Sequence, residues 1–400
     1  MGMLRCWLAL AVAIGHTTTI FGFSWAPNLS GGRAVQMFYV ISGFLITHIL
    51  SGKYSADPHG RWIFYTNRAV KIFVPYLVVL AGTIILSLVA YVVTGNAASL
   101  SAFFAEAHNM RAGTWAYAVV SNLFLFGQDW GSFLTYQNGA LGWNLHALEQ
   151  PGAAIGMFSL NNPAWTLSIE LSFYLVAPFL VRRHFLALVL SAFALQAIRY
   201  QAYHVGWFSY GTDNRFFPFE LGLFLYGALL YWAKDLLRAD VRLQAAIAFG
   251  CLALAIVLPD YFRDGYYQFY GLVGLLLPTL FGFSNRHKWD RWLGDFSYPI
   301  YVVHFPVAVL LAAFIAHWLP SSIGTNRAYP ALALVLTCLI SIAIDRYLVK
   351  PVDVWRQQRA LGKRYEPLRA SLVGSTANPG YARITASEDN IESPSPSRHG

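Results

Sequence analysis

The chain has 400 residues, of which 56% are hydrophobic and only 12% are charged, and its mean hydropathy is +0.46. Soluble domains average about 25% charged residues, so this composition excludes an ordinary soluble protein. The net charge of +9 does not indicate nucleic-acid binding, because the basic residues fall between apolar runs, where membrane topology places them. The three cysteines stand singly in apolar surroundings and predict neither a disulfide framework nor a metal site.

Apolar runs recur along the chain, and each is long enough to cross a hydrocarbon core of about 30 Å. They lack the alternation of a membrane barrel, so the sequence predicts an all-α, polytopic helical membrane protein with about ten transmembrane helices. The predicted spans are residues 3–23, 32–50, 70–93, 163–181, 185–201, 215–233, 243–258, 267–284, 296–319 and 328–348. The first resembles a signal peptide, but no clear small-residue cleavage site follows it, so we expect a retained helix.

Basic residues mark every second loop between these spans. The first such loop follows the second span and holds Lys53, Arg61, Arg68 and Lys71. By the positive-inside rule these loops are cytoplasmic, and both termini are then cytoplasmic as well. The sequence thus predicts a membrane domain over residues 1–350 and a cytoplasmic, mostly disordered tail over residues 351–400.

A long segment, residues 94–162, is predicted to lie on the extracytoplasmic side. It contains the apolar stretch TWAYAVVSNLFLFG (residues 114–127), which is too short to span. A crossing here would turn all later basic loops outward, so we predict a re-entrant or interfacial helix. Aromatic and hydrogen-bonding side chains share this segment and suit a sugar ring, which makes Trp143 and the nearby Trp165 candidate acceptor-binding residues. The alternative is an interfacial aromatic belt.

An ionisable side chain, His16, lies inside the first span. It follows Arg5 by eleven residues, so its imidazole is about 16 Å further into the bilayer than Arg5. The residue is either a hydrogen-bonded core histidine or a functional group, and ionisable residues within spans are functional hypotheses by default.

Glu170 lies about seven residues into the fourth span, roughly 10 Å below the outer surface. His16 reaches a similar level from the inner side, so the carboxylate and the imidazole can meet. A carboxylate on one ring nitrogen would fix the tautomer and leave the other nitrogen to act as a base. Alternatively, Glu170 bonds a nearby backbone group or arginine.

Segments spread along the chain resemble one known family, the acyltransferase-3 family of integral membrane O-acyltransferases. The resemblance covers residues 3–350 and departs at Lys71, where many members have arginine, and at Val349, which replaces the acid of a closing Glu-x-Pro motif. The segments, in order, are the Arg5-x10-His16 spacing, FYVISGFLI (38–46), NRAVKIFVPY (67–76), WTLSIELSFYLVAP (165–178), RFFPFELGLFLYG (215–227) and LGDFSYPIYVVHFP (293–306).

The resemblance implies transfer of an acyl group, most simply acetyl, from acyl-CoA to a hydroxyl of a cell-surface or exported polysaccharide. His16 and Glu170 are then the expected catalytic residues. The route stays open, since His16 could deprotonate the acceptor hydroxyl or carry the acyl group itself, and the sequence does not name the residue that steadies the oxyanion.

Cationic and polar residues in the same segments are the expected binding groups. Arg5, Arg68 and Lys71 are expected to bind the coenzyme A phosphates, although Arg68 and Lys71 could serve only as topology signals. Ser42, Tyr298 and His304 are candidate substrate-binding residues, with helix packing as the alternative.

The expected partners are acyl-CoA, a glycan or lipid-linked glycan acceptor and membrane lipids, in the inner or plasma membrane. We expect no permanently bound cofactor, no metal and no nucleic acid. Two alternatives stay open: an acyltransferase for a lipid or a secondary metabolite such as a macrolide, and a non-catalytic transporter with the same fold. A transporter would have no need of cations for coenzyme A phosphates.

Overall fold

A computed structural model of the chain describes residues 1–23, 31–54, 56–150, 155–208, 212–239, 266–319 and 326–360. Two compact units, Met1–Val354 and Trp355–Gly400, make up the chain, and the described part of the second is the end of one helix. The helices are α1 (Gly2–Ile20), α2 (Gly31–Gly52), α3 (Pro58–Thr94), α4 (Ser101–Glu106), α5 (Ala112–Phe124), α6 (Trp165–Leu180), α7 (Phe185–His204), α8 (Phe217–Trp232), α9 (Lys234–Ala239), α10 (Tyr266–Arg286), α11 (Lys288–Trp318), α12 (Ala328–Ile344) and α13 (Lys350–Ala360). A π-helical turn, Asp345–Val349, joins α12 to α13.

The all-α polytopic architecture is confirmed. Among the described residues, seven helical segments are long and apolar enough to cross a membrane: Gly2–Ile20, Gly31–Gly52, Pro58–Thr94, Asn162–Leu180, Phe185–His204, Lys288–Trp318 and Ala328–Gln358. Each predicted span falls on a helix except 243–258, which lies outside the described residues. The count of ten and the position of the termini stay predictions.

Helix α3 is much longer than its predicted span. It has 37 residues and begins at Pro58, where the Asp57 carboxylate caps it by accepting from the Gly60 N–H at 2.6 Å. At about 1.5 Å per residue it is roughly 55 Å long, so it extends well beyond the hydrocarbon core. Arg68 and Lys71, predicted to lie in or beside a loop, are therefore both on this helix.

Glycines let two of the spanning helices touch backbone to backbone. A Cβ atom at Gly43 of α2 would lie 2.0 Å from the Phe224 carbonyl oxygen of α8, and one at Gly227 of α8 would lie 2.0 Å from the Val40 carbonyl oxygen. Small residues give membrane helices this close approach, which no larger side chain permits. In the same bundle α1 packs along α11.

The segment before α6 carries the short elements of the fold. Strands Leu134–Gln137 and Ala140–Trp143 pair antiparallel, with Leu134 opposite Trp143. Helix α5 has 13 residues, about 20 Å, which is short of a full crossing. The Asn122 backbone carbonyl accepts from the Tyr76 hydroxyl at 2.7 Å, which fixes α5 against α3, and Asn122 Nδ2 donates to the Phe158 carbonyl at 2.8 Å.

The predicted tail beyond residue 360 lies outside the described residues.

Candidate active site

Two histidines from neighbouring helices meet in the middle of the bundle. His16 Nδ1, on α1, lies 3.0 Å from His304 Nε2, on α11, and the two rings are nearly parallel. His304 is fully buried, and its Nδ1 lies 3.3 Å from the Ile300 carbonyl oxygen one turn earlier on the same helix. The pair forms because α1 and α11 pack along each other.

The hydrogen-bond chain assigns a tautomer to each ring. The Ile300 carbonyl can only accept, so His304 Nδ1 carries the proton and His304 Nε2 is the acceptor. His16 Nδ1 must then donate, which leaves the lone pair of His16 on Nε2. The arrangement presents one neutral imidazole with a defined basic nitrogen inside the membrane.

A proline and an asparagine fix the segment before α6 against α11 beside this pair. Pro306 has no N–H, so the Val302 carbonyl four residues earlier loses its helical partner. Asn161 Nδ2 donates to that carbonyl at 3.0 Å and replaces the missing bond. The chain that enters α6 is thereby fixed next to His304.

Glu170 does not occupy the position expected for it. Its Oε1 accepts from the Ser42 hydroxyl at 2.9 Å and from the Tyr174 hydroxyl, and no hydrogen bond within the described part of the chain joins it to His16. Predicted depth does not say which neighbour a side chain faces, and α6 turns Glu170 towards Ser42 of α2. The tautomer-fixing position predicted for a carboxylate belongs to His304.

The predicted cationic residues lie on two helices, with Arg5 in the first turn of α1 and Arg68 and Lys71 in the first half of α3. The Arg68 guanidinium lies 5.8 Å from the centre of the Tyr174 ring, so Ser42, Glu170, Tyr174 and Arg68 form one connected chain. Buried Arg68 Nε has no hydrogen-bond partner among the described residues. A second acid, Asp295, interacts electrostatically with both Lys71 and Arg5. Arg68 Nε is therefore a hydrogen-bond donor that a ligand can use.

A cavity of about 380 Å³ lies beside the start of α6, on the side that the topology predicts to face outward. Trp165 forms one wall of the cavity. Trp143, the other predicted tryptophan, does not line the cavity; it is 61% exposed and stacks on Phe133. Tyr298 is also absent from the lining and donates to the Ile72 carbonyl at 2.7 Å. The lining residues are Gln128, Gly131, Ser132, Leu148, Gly156, Met157, Ser159, Asn162, Trp165 and Arg215.

Contacts connect this cavity to the histidine pair. Thr166 follows Trp165 in the chain, and its hydroxyl lies 2.6 Å from the Tyr301 hydroxyl. The Tyr301 ring in turn contacts the His304 ring edge to face, with 5.8 Å between the ring centres. Packed side chains therefore connect the cavity wall to His304, although neither histidine lines the cavity.

Sequence reasoning missed one residue that lines this cavity, and it named Asp129 only as one of several polar residues of the outer segment. Arg215 lines the cavity, and a signal for it existed, because a basic residue at the outer end of a span runs against the positive-inside pattern. Buried Asp129 accepts from the Ser168 hydroxyl at 2.7 Å, and the Gly127 N–H donates to that same hydroxyl at 3.1 Å. Burial raises the pKa of Asp129 to about 6, although the Ser168 hydrogen bond opposes the shift.

The comparisons with known proteins identify the family of the chain. The acyltransferase-3 family, described as "Acyltransferase domain", matches residues 1–346. A Bacillus subtilis (strain 168) protein, YrhL, named provisionally as a peptidoglycan O-acetyltransferase, is 28% identical over 388 residues, 87% of this chain and 54% of that protein. The peptidoglycan O-acetyltransferase OatA of Listeria monocytogenes is 24% identical over 344 residues, 77% of this chain and 49% of that protein.

The chain spans about half the length of these curated relatives. No solved structure matches it. The family match covers the six segments from Arg5 to Pro306 and the helices that carry them, so the resemblance is confirmed. This chain belongs to the acyltransferase-3 family.

Proposed function

We propose that this protein transfers an acetyl group from acetyl-CoA to a hydroxyl of a cell-wall glycan, with peptidoglycan as the first candidate acceptor, in the plasma membrane. Family membership and the names of its relatives support the reaction class. The observation that supports the proposal is the hydrogen-bonded pair of His16 and His304, which leaves a lone pair on His16 Nε2.

The donor binds from the cytoplasmic side. Arg5, Arg68 and Lys71 hold the phosphates of coenzyme A, since guanidinium and ammonium groups are the usual partners of phosphate oxygens. Glu170 acts on this side of the site, because its hydroxyl partner Tyr174 lies under the Arg68 guanidinium. Its role is thus to position a donor-binding cation rather than to orient His16.

The acceptor binds in the outer cavity. A volume of about 380 Å³ lies within the usual range for small-molecule sites, and it suits the end of a glycan chain. The Trp165 ring, with the Arg215 guanidinium 4.7 Å from its centre, forms one wall of the cavity, while Gln128, Ser132 and Asn162 offer hydrogen bonds to hydroxyls. Thr166 and Tyr301 link this wall to the histidine pair.

His16 performs the chemistry with its Nε2 lone pair. In the direct route Nε2 takes the proton from the acceptor hydroxyl, whose oxygen attacks the thioester carbonyl, and the imidazolium returns the proton to the departing thiolate. In the covalent route the same lone pair attacks the thioester and carries the acyl group to the acceptor. Both routes need the tautomer that His304 enforces.

The test is acetyl transfer by the purified protein in nanodiscs, with acetyl-CoA as donor and soluble peptidoglycan strands as acceptor. Thiol release and the mass of the product strands are measured for the wild type, His16→Ala and the control His184→Ala. His184 is exposed and lies ahead of α7, away from the site. We expect no transfer by His16→Ala and wild-type rates for the control. Equal transfer by His16→Ala and the wild type would exclude His16 as the reacting group.

A further inference from the structure

The charge of the outer cavity comes from Arg215, which lies in the short turn Asp213–Arg215 that leads into α8. Its guanidinium lies 4.7 Å from the centre of the Trp165 ring, and its Nη1 donates to the Ser132 hydroxyl at 3.0 Å. These two contacts hold the cation in the cavity wall. The guanidinium forms no other hydrogen bond within the described part of the chain, so Nε and Nη2 keep N–H groups for a ligand.

No carboxylate of the described residues pairs with this cation. Arg215 belongs to none of their ion pairs, and no acidic side chain is among the described residues that line the cavity. Arg199 differs, since its Nη1 pairs with the buried Glu220 carboxylate at 3.1 Å. A half-buried guanidinium without an acid is costly, and a ligand that brings the acid removes that cost.

A second observation points to a polar ligand in the same cavity. Gln128 lines the cavity and is only 8% exposed, and its buried Oε1 has no hydrogen-bond partner among the described residues. An amide oxygen accepts hydrogen bonds, whereas a guanidinium only donates them. The ligand that satisfies both groups therefore carries an anionic acceptor for Arg215 and a hydroxyl or amide N–H for Gln128.

We propose that the outer cavity is specific for acidic glycans and that Arg215 pairs with a carboxylate attached to the sugar, an inference that rests on the proposed function. The planar guanidinium binds the two carboxylate oxygens through parallel N–H groups, here those of Nε and Nη2. Gln128 Oε1 accepts from a hydroxyl or amide N–H of the same sugar. A neutral sugar of the same shape leaves the cation unpaired, so it binds more weakly.

The test measures binding in the absence of acetyl-CoA. The protein in nanodiscs is titrated with N-acetylmuramic acid, whose lactyl group ends in a carboxylate, and with two neutral ligands, its methyl ester and N-acetylglucosamine. Sodium lactate and inorganic phosphate are titrated as anions without a sugar. Kd is determined by ligand-observed NMR for the wild type, Arg215→Gln, Arg215→Lys and the matched control Arg111→Gln. Arg111 is exposed, directly precedes α5 and does not line the cavity.

We expect the wild type to bind N-acetylmuramic acid about 10- to 150-fold more tightly than the methyl ester, as for a hydrogen bond to a charged group. Arg215→Gln should bind the two equally. Arg215→Lys should keep part of the preference, because an ammonium retains the charge but lacks the fork, and Arg111→Gln should match the wild type. If Arg215→Gln fails to fold, which thermal unfolding reports, the comparison of acid and ester on the wild type and Arg215→Lys decides.

Three results would overturn the inference: equal affinity of the wild type for acid and ester, a full preference for the acid in folded Arg215→Gln, or no binding of N-acetylmuramic acid. Lactate or phosphate bound as tightly as N-acetylmuramic acid would also overturn it, since the cavity would then hold free anions. Transfer is assayed separately. If the acid preference is present but the wild type transfers no acetyl group, the proposed function fails; if transfer occurs without the preference, only this inference fails.

Discussion

Replacing His304 with methionine removes Nε2, the atom that accepts the hydrogen bond from His16 Nδ1. The methionine side chain has a similar volume but is apolar. His304 is fully buried, and its Nε2 lies 3.0 Å from His16 Nδ1, so water does not take the place of the lost acceptor. Leaving a buried donor without a partner costs about 1–3 kcal/mol. His16 avoids this cost by moving its proton to Nε2, which removes the lone pair that reacts.

The size of the effect follows from that free energy. Each 1.4 kcal/mol is a tenfold change in an equilibrium, so the productive tautomer of His16 becomes about 5- to 150-fold rarer and kcat falls by the same factor. His304→Gln is the matched control, because its Oε1 can accept the same hydrogen bond, and we expect it to keep most of the activity. The acceptor KM should change little in both variants.

The assay is the initial rate of acetyl transfer at saturating acetyl-CoA, with purified variants in nanodiscs and thermal unfolding as the check on folding. If His304→Met keeps the wild-type kcat, the hydrogen bond does not set the reactive tautomer. The same conclusion follows if the methionine and glutamine variants lose equal activity, since only one of them retains an acceptor.

The remaining predictions concern the donor site, the outer segment and the topology. Arg68→Gln should weaken apparent acyl-CoA affinity about 10- to 150-fold, because a hydrogen bond to a charged group contributes roughly 1.5–3 kcal/mol, and two-substrate kinetics should show an unchanged acceptor KM. An unchanged donor dependence would leave this arginine with a topological role only. Burial raises the pKa of Asp129 from 3.8 to about 6. Between pH 3.8 and about 6 the folded state therefore binds more protons than the unfolded state, so the free energy of unfolding falls as the pH rises through this range. Asp129→Asn should flatten thermal stability across this range, and an undiminished slope would contradict the shift. A cysteine at Arg286 should label from the cytoplasm and one at His108 from outside; labelling of both from one side would refute the topology.

The sequence predicts the spanning helices well because burial in lipid demands long apolar runs, and such runs are visible without any packing information. The ends of the helices are less visible. The inner end of α3 is polar, so hydropathy alone places its start near residue 70, whereas the Asp57 cap and Pro58 begin the helix there. Asp57 and Pro58 are the sequence features that predict where α3 begins.

The partner of His16 could not be predicted from the sequence, because spacing gives depth and leaves the facing helix unknown. Glu170 faces Ser42, while His304 comes from a helix almost 300 residues later in the chain. Only the packing of α1 along α11 brings the two rings together. Arg215 could have been predicted from the sequence, because a basic residue at the predicted outer end of a span departs from the positive-inside pattern.

The central claim is that donor and acceptor reach His16 from opposite sides of the membrane. Proteoliposomes with a single protein orientation test it directly, with labelled acetyl-CoA on the cytoplasmic face alone and soluble peptidoglycan strands on the outer face alone. We predict labelled strands on the outer side, coenzyme A remaining on the cytoplasmic side, and no product with His16→Ala. Product that forms only when both substrates share one side, or equal product from His16→Ala, would contradict the account.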